Sequence, residues 1–322
     1  MTTTLVLTMS AQAQSCHTSS ELEDATRSAI TATAQRFFDL AAKGDAASLR
    51  QNAIASLAAD FSSIEATVKD NQQELTGAQA TTKSVFLLEV EGASPAAQIE
   101  FYCGVFGKNG QTSSSAVFSL DNLPPGKYAV AILDATTSQA RDNFLLILQQ
   151  SAADWKLAGL YLKPSRIAGH DSDWFAARAR EYKAEGQLHN AWFFYLQARS
   201  LVSPAPFMST LATDRLYDEF QGVHPADLPA DGKTADLVAG TATYKLTELF
   251  PAAVGNDLDL IVKYQAADIS NSNQTYQNNV AVIKAVAAKY PELRDAFAGV
   301  VARAVDPSGH DFGTLLAMKD TK

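Results

Sequence analysis

From residue 84 to residue 164 the chain reads as a succession of strand-like runs, and no other feature narrows its fold as much. The run "SVFLLEVEG" sets Phe86, Leu88 and Val90 on one face against Glu89 and Glu91 on the other. "AQIEFYCGVFG" does the same with Ile99, Phe101, Cys103 and Val105. "SAVFSL", "KYAVAILDA" and "RDNFLLILQQ" follow, and the last turns through "SAAD" into "WKLAGLYLKP". Turn signals separate the runs, Pro124-Pro125-Gly126 among them.

Ahead of the strands the period is helical. Ile30, Ala34, Phe37, Phe38 and Ala41 form one apolar stripe. Gly44 supplies a stop, and Asp45 is placed to cap a second helix running through Leu49, Ile54 and Leu57. Two helices followed by long antiparallel strands, over residues 22–164, are similar to the cystatin-like cone of nuclear transport factor 2-like proteins. That resemblance implies a cavity between helix and sheet, lined by Phe38, Phe86, Phe101 and Tyr128, as the place for a small ligand. The lining is apolar and suits a filled core better than a polar catalytic pocket. The fragment "VFSLDNLPPGKYAVAI" also resembles a strand-turn-strand piece of carboxypeptidase regulatory-like sandwich modules, so cone and sandwich both stand.

The segment "DSDWFAARAREYKAEGQLHNAWFFYLQARSLVSP" returns to helix. Phe175, Ala179, Tyr182, Gly186, Ala191, Tyr195 and Ala198 fall at the spacing of a tetratricopeptide repeat, which the segment resembles. Pro204 comes one residue late and Arg178 stands where leucine is usual. Small residues at 179 and 191 let two antiparallel helices approach, and Gly186 makes the turn. A shift of about 34 residues finds no second copy, so the resemblance implies one hairpin over 170–222, with Trp192 and Phe193 as candidates for contacting a partner. "GVHPADLPADGKTAD" then reads as a linker, 223–237. Residues 238–322 read as a ββαββ module, one helix across an antiparallel sheet.

At 322 residues the chain exceeds one typical core. Its formal charge of -9 repels phosphate backbones, which argues against a nucleic-acid partner. No apolar run is long enough to span a bilayer. "LVLTMSAQA" ends in Ala11-Gln12-Ala13, a small-x-small pattern like that of a signal-peptidase site. The expectation is a signal remnant over 1–15, a mature start near Gln14 and a periplasmic or secreted protein, an ordinary N-terminus being the alternative. Cys16 and Cys103 are the two cysteines. In an oxidising space they are candidates for a disulfide. A lipid anchor on Cys16 is the rival, but Ala13-Gln14-Ser15-Cys16 departs from a lipobox at two positions.

Searches for chemistry return little. Gly169-His170-Asp171 and Gly309-His310-Asp311 pair His with Asp in turns, where neighbours seldom face each other, and no nucleophile motif accompanies them. Packing or exposure explains His189. Asp257 and Asp259 share a strand face, and the plain reading is the solvent side of an edge strand. "DISNSNQ" lacks the Gly and Glu that complete a calcium loop. The expectation is therefore an exported α+β protein without catalytic residues, metal or cofactor. Its role would be to contact another envelope protein, the alternative being a small-molecule binder or enzyme using the cone cavity.

Overall fold

The computed structural model describes residues 14–92, 94–105, 110–137, 141–230 and 232–322, so the signal-like run lies outside the described residues. In chain order the elements are β1 (Gln14–Thr18), α1 (Asp24–Ala42), α2 (Ala46–Gln51), α3 (Ala55–Ala59), α4 (Ser62–Asp70) and α5 (Gln72–Leu75). Strands follow: β2 (Gln79–Val90), β3 (Ala96–Cys103), β4 (Ala116–Leu123), β5 (Gly126–Thr136), β6 (Arg141–Ser151) and β7 (Asp154–Pro164). A small ribbon, β8 (Arg166–Ile167) with β9 (His170–Asp171), leads to α6 (Ser172–Ala184), α7 (Leu188–Val202), β10 (Met208–Ser209) and α8 (Leu211–Gln221). The chain ends with β11 (Ala235–Ala239), β12 (Ala242–Val254), β13 (Asp257–Gln265), α9 (Ser272–Lys289), β14 (Gly299–Val305) and β15 (Asp311–Ala317). The fold is α+β, in two compact units: Met1–Ser165 with Ser203–Asp214, and Arg166–Val202 with Arg215–Lys322.

In the first unit an antiparallel sheet of order β1-β2-β5-β6-β7 carries helices on one side and a small sheet, β10-β4-β3, on the other. The stripe of α1 packs as its period requires, with Ile30, Ala34, Phe37, Phe38 and Ala41 all buried. The Asp45 side chain caps α2 by accepting from the Ser48 amide at 3.0 Å. The second helix does not run on to Leu57, however. Asn52 and Ile54 exchange backbone hydrogen bonds with Leu157 of β7, and this pairing breaks the helix into α2 and α3.

Both faces of the main sheet are covered, and this changes the reading of β2. Val85 and Leu87 face the helices while Phe86 and Leu88 face the small sheet. The four residues assigned to one cavity are therefore divided by the sheet. Phe38 meets Phe144 edge-on at 5.2 Å on the helical side. Phe86, Phe101 and Tyr128 lie on the opposite side, Phe86 against Phe118 at 5.1 Å. All four are at most 4% exposed, so each occupies filled core rather than a cavity wall. Cys16 and Cys103 form a disulfide with Cα atoms 4.9 Å apart, joining β1 to β3 across the layers. A sulfur so bonded is not free to carry a lipid thioether.

The second unit gathers hairpin, supposed linker and C-terminal module about one core. Residues 203–214 return to the first unit, where β10 pairs with β4, and so shorten the expected hairpin domain. The linker reading of 223–237 also fails, because Val223 and Leu228 are buried and β11 begins at Ala235. With β11 the module is βββαββ, ordered β11-β12-β13-β14-β15. It is not wholly antiparallel: α9 carries the chain across the sheet, so β13 and β14 run parallel. A buried network fixes that crossover. The Tyr264 hydroxyl donates to Asn279 Oδ1 at 2.8 Å, and Asn279 Nδ2 donates to Thr314 Oγ1 at 2.9 Å and the Phe312 carbonyl at 3.0 Å. Burial pushes the Tyr264 phenol far above its ordinary range. Asn279→Leu strands those buried groups, and we expect it to cost about 2 kcal/mol in urea unfolding.

Candidate functional site

The hairpin is built as its spacing requires. Gly186 makes the turn at φ 78°, and Phe175, Ala179, Tyr182, Ala191, Tyr195 and Ala198 are buried. Along α7 each residue turns by about 100°, which sends adjacent side chains to different places. Phe193 is 1% exposed and packs against Phe297, so it belongs to the core and cannot greet a partner. Trp192 is half-buried and faces an open cleft of about 910 Å³ within the second unit.

That cleft exists because β11 is short. It pairs with β12 only from Ala242 to Leu246, and the register then shifts between Leu246 and Glu248. Such a bulge bends a strand and ends its pairing on one side. Beyond it, Thr247–Phe250 form one wall of the cleft and Pro229, Ala230 and Gly232 the other. The floor is aromatic. Trp192 stacks on Phe220 with ring centroids 3.8 Å apart, and His224 meets Trp192 edge-on at 4.4 Å. The Arg199 guanidinium lies 4.4 Å from the Phe220 ring centre and 5.1 Å from that of Tyr217. Contacts of these kinds are worth about 0.5–1.5 kcal/mol each and fix the side chains of the floor.

A second cluster holds the far wall. His189 Nδ1 is 2.7 Å from Glu292 Oε1 and Nε2 is 3.0 Å from Asp227 Oδ1, with the Tyr290 ring centre 4.4 Å from the imidazole. Lys289 Nζ approaches Asp227 at 3.6 Å. Burial opposes ionisation of Asp227, but the hydrogen bond and charge of His189 outweigh it and keep the carboxyl below its usual range. The clamp ties the loop carrying Asp227, two residues before Pro229, to α7 and to the turn after α9. His189 is thus a structural link.

The other sequence candidates lie apart from the cleft. Asp171 caps α6 by accepting from the Trp174 amide at 3.1 Å, while His170 stacks on Trp174 at 3.6 Å. His310 sits in an exposed turn beside Asp306. Asp259 corrects the solvent-edge reading, for β13 is an interior strand and Asp259 is 3% exposed. Its burial, with the charge of Asp257, pushes its carboxyl up, and the Gly299 amide offsets part of that. Among the described residues no cluster of three or more His, Cys, Asp or Glu could hold a metal ion. Nor is any described helix long and apolar enough to cross a membrane.

Sequence reasoning reached Trp192 but missed Phe220, His224, Leu249 and Phe250. Leu216 and Phe220 lie four apart on one face of α8, a signal present in "LATDRLYDEFQ". Comparison with protein-family models, curated proteins and solved structures finds no match to this chain. The cleft's polar edges are Gln221, His224 and Glu248, the last bound to Lys263 at 2.8 Å. An apolar aromatic floor with a few polar edges is suited to holding an apolar group.

Proposed function

We propose that this chain is a non-catalytic binding protein of the cell envelope or exterior, using the cleft of its second unit to hold an apolar group of a partner. The observation that carries the reading is a concave cleft of about 910 Å³ whose surface shows half-buried Trp192 and exposed Tyr217, the aromatic-lined concave form in which proteins usually hold a ligand. The disulfide supports an oxidising compartment, where such bonds persist. The net charge of -9 supports a partner other than nucleic acid.

A thermal-shift screen of apolar fragments against the full chain tests this. Fragments that occupy the cleft raise the melting temperature by mass action. Trp192→Ala is expected to weaken their binding tenfold or more, about 1.4 kcal/mol. Fragments that stabilise the variant as well as the parent, or a screen without hits, would overturn the reading.

A further inference from the structure

The strand-side wall of the cleft is an unpaired sheet edge, and the ladder shows which backbone groups it presents. In an antiparallel pair, opposed residues alternate between those that exchange both backbone hydrogen bonds and those whose N–H and C=O point outward. Pro251 lies opposite Leu260, and proline has no N–H to exchange. On β13, the Leu258 carbonyl accepts from the Ala298 amide at 3.0 Å, so Leu258 points toward the β14 side. Leu260, two residues on, points the same way. Both observations make Pro251 and Leu260 an outward-pointing pair. Leu249, Pro251 and Ala253 therefore turn their backbone groups away from β13, to the side that β11 leaves uncovered beyond Leu246. Among the described residues these groups have no hydrogen-bond partner.

We infer that the cleft receives an extended peptide segment of a partner protein, which pairs with the free edge of β12 and lays a large apolar side chain over Trp192. The inference rests on the binding role proposed above and names its occupant. Two amides and three carbonyls stand along one line, at every second residue from Leu249 to Ala253. That spacing is a strand's own repeat, and a segment of about 5 residues matches it. A compact small molecule in the cleft would reach Leu249 and leave untouched buried Pro251 and the exposed end of the edge at Ala253. A second copy of β12 fits less well, because an edge interrupted by a bulge and a proline would meet the same interruptions in its twin.

The experiment is selection from a displayed library of random peptides, about 12 residues long, against the full chain. Selected peptides are then resynthesised with single backbone N-methyl groups. Peptides rich in large apolar residues are expected. N-methylation at alternate positions should weaken binding tenfold or more and leave the intervening positions unaffected. Ala253→Pro, which removes one edge amide at an exposed position, should also weaken binding. Peptides lost by Trp192→Ala yet indifferent to N-methylation and to Ala253→Pro would overturn strand pairing and leave the cleft's role standing. Fragments that bind where no peptide is selected would likewise sink this inference alone, and failure of both would sink the two together. Dimers seen by sedimentation and abolished by Ala253→Pro would put a second copy in place of the peptide.

Discussion

Replacing both Cys16 and Cys103 by serine is expected to destabilise the first unit by about 4–5 kcal/mol, the entropy of opening a loop of this size in the unfolded chain. The bridge spans 87 residues and joins β1, at the edge of the main sheet, to β3 of the small sheet. It therefore crosses the apolar layer around Phe86, Phe101 and Phe118. β1 has 5 residues and pairs with β2 alone, so without the bridge the layer's margin loses its covalent tie. Hydrogen exchange on the full chain separates this effect from the second unit. Amides of β5 and β6 should exchange faster by a factor that reports the lost stability, and those of β13 should not change. The same loss should follow reduction of the unaltered protein. A loss below about 1 kcal/mol would mean that the reduced chain already keeps these layers together in its unfolded ensemble.

How much was legible in the sequence depended on whether one face or two is buried. The α1 stripe buries one face, and its period named the buried residues, as did the spaced positions of the α6–α7 hairpin; α7, however, buries more than that stripe, Phe193 included, and the period did not show it. The main sheet buries both faces, and β6 reads as the continuous run "DNFLLIL". Period-2 reasoning has no polar face there to sort residues by, and on β2 the cone resemblance placed Phe86 with Phe38 in one cavity, whereas the sheet separates them. The break at Asn52–Ile54 was hidden because its cause, Leu157, lies far along the chain. The cleft was hidden for a similar reason. Its opening depends on where β11 stops pairing and on the bulge after Leu246, neither of which marks the sequence. Trp192 and Phe193 are neighbours in the sequence, and only the packing around α7 tells the cleft residue from the core residue.

Asp142→Asn should make the protein more stable at neutral pH by about 3 kcal/mol, with the gain vanishing in mild acid. Asp142 stands on β6 opposite Ala135 and Pro164 and is 4% exposed. Burial, with a smaller contribution from the charge of Glu74, pushes its carboxyl from the ordinary 3.8 up to about 6. An acid whose folded value is raised is bound to its proton more tightly in the folded state. Its full stability is therefore present below about pH 4 and is lost as pH rises through 6, at about 1.4 kcal/mol for each pH unit between the two values. Asparagine keeps the shape and never ionises, so the two proteins should have equal stability near pH 4 and diverge to a constant gap above pH 6. Glu74→Gln should narrow the gap slightly, because the carboxylate it removes is the lesser cause. Urea unfolding across that pH range, followed through Trp155 in the same unit, measures it. Parallel curves with no gap would mean that the carboxyl has the same value folded and unfolded, and a gap that widens toward acid would mean that its ionised form is the one stabilised.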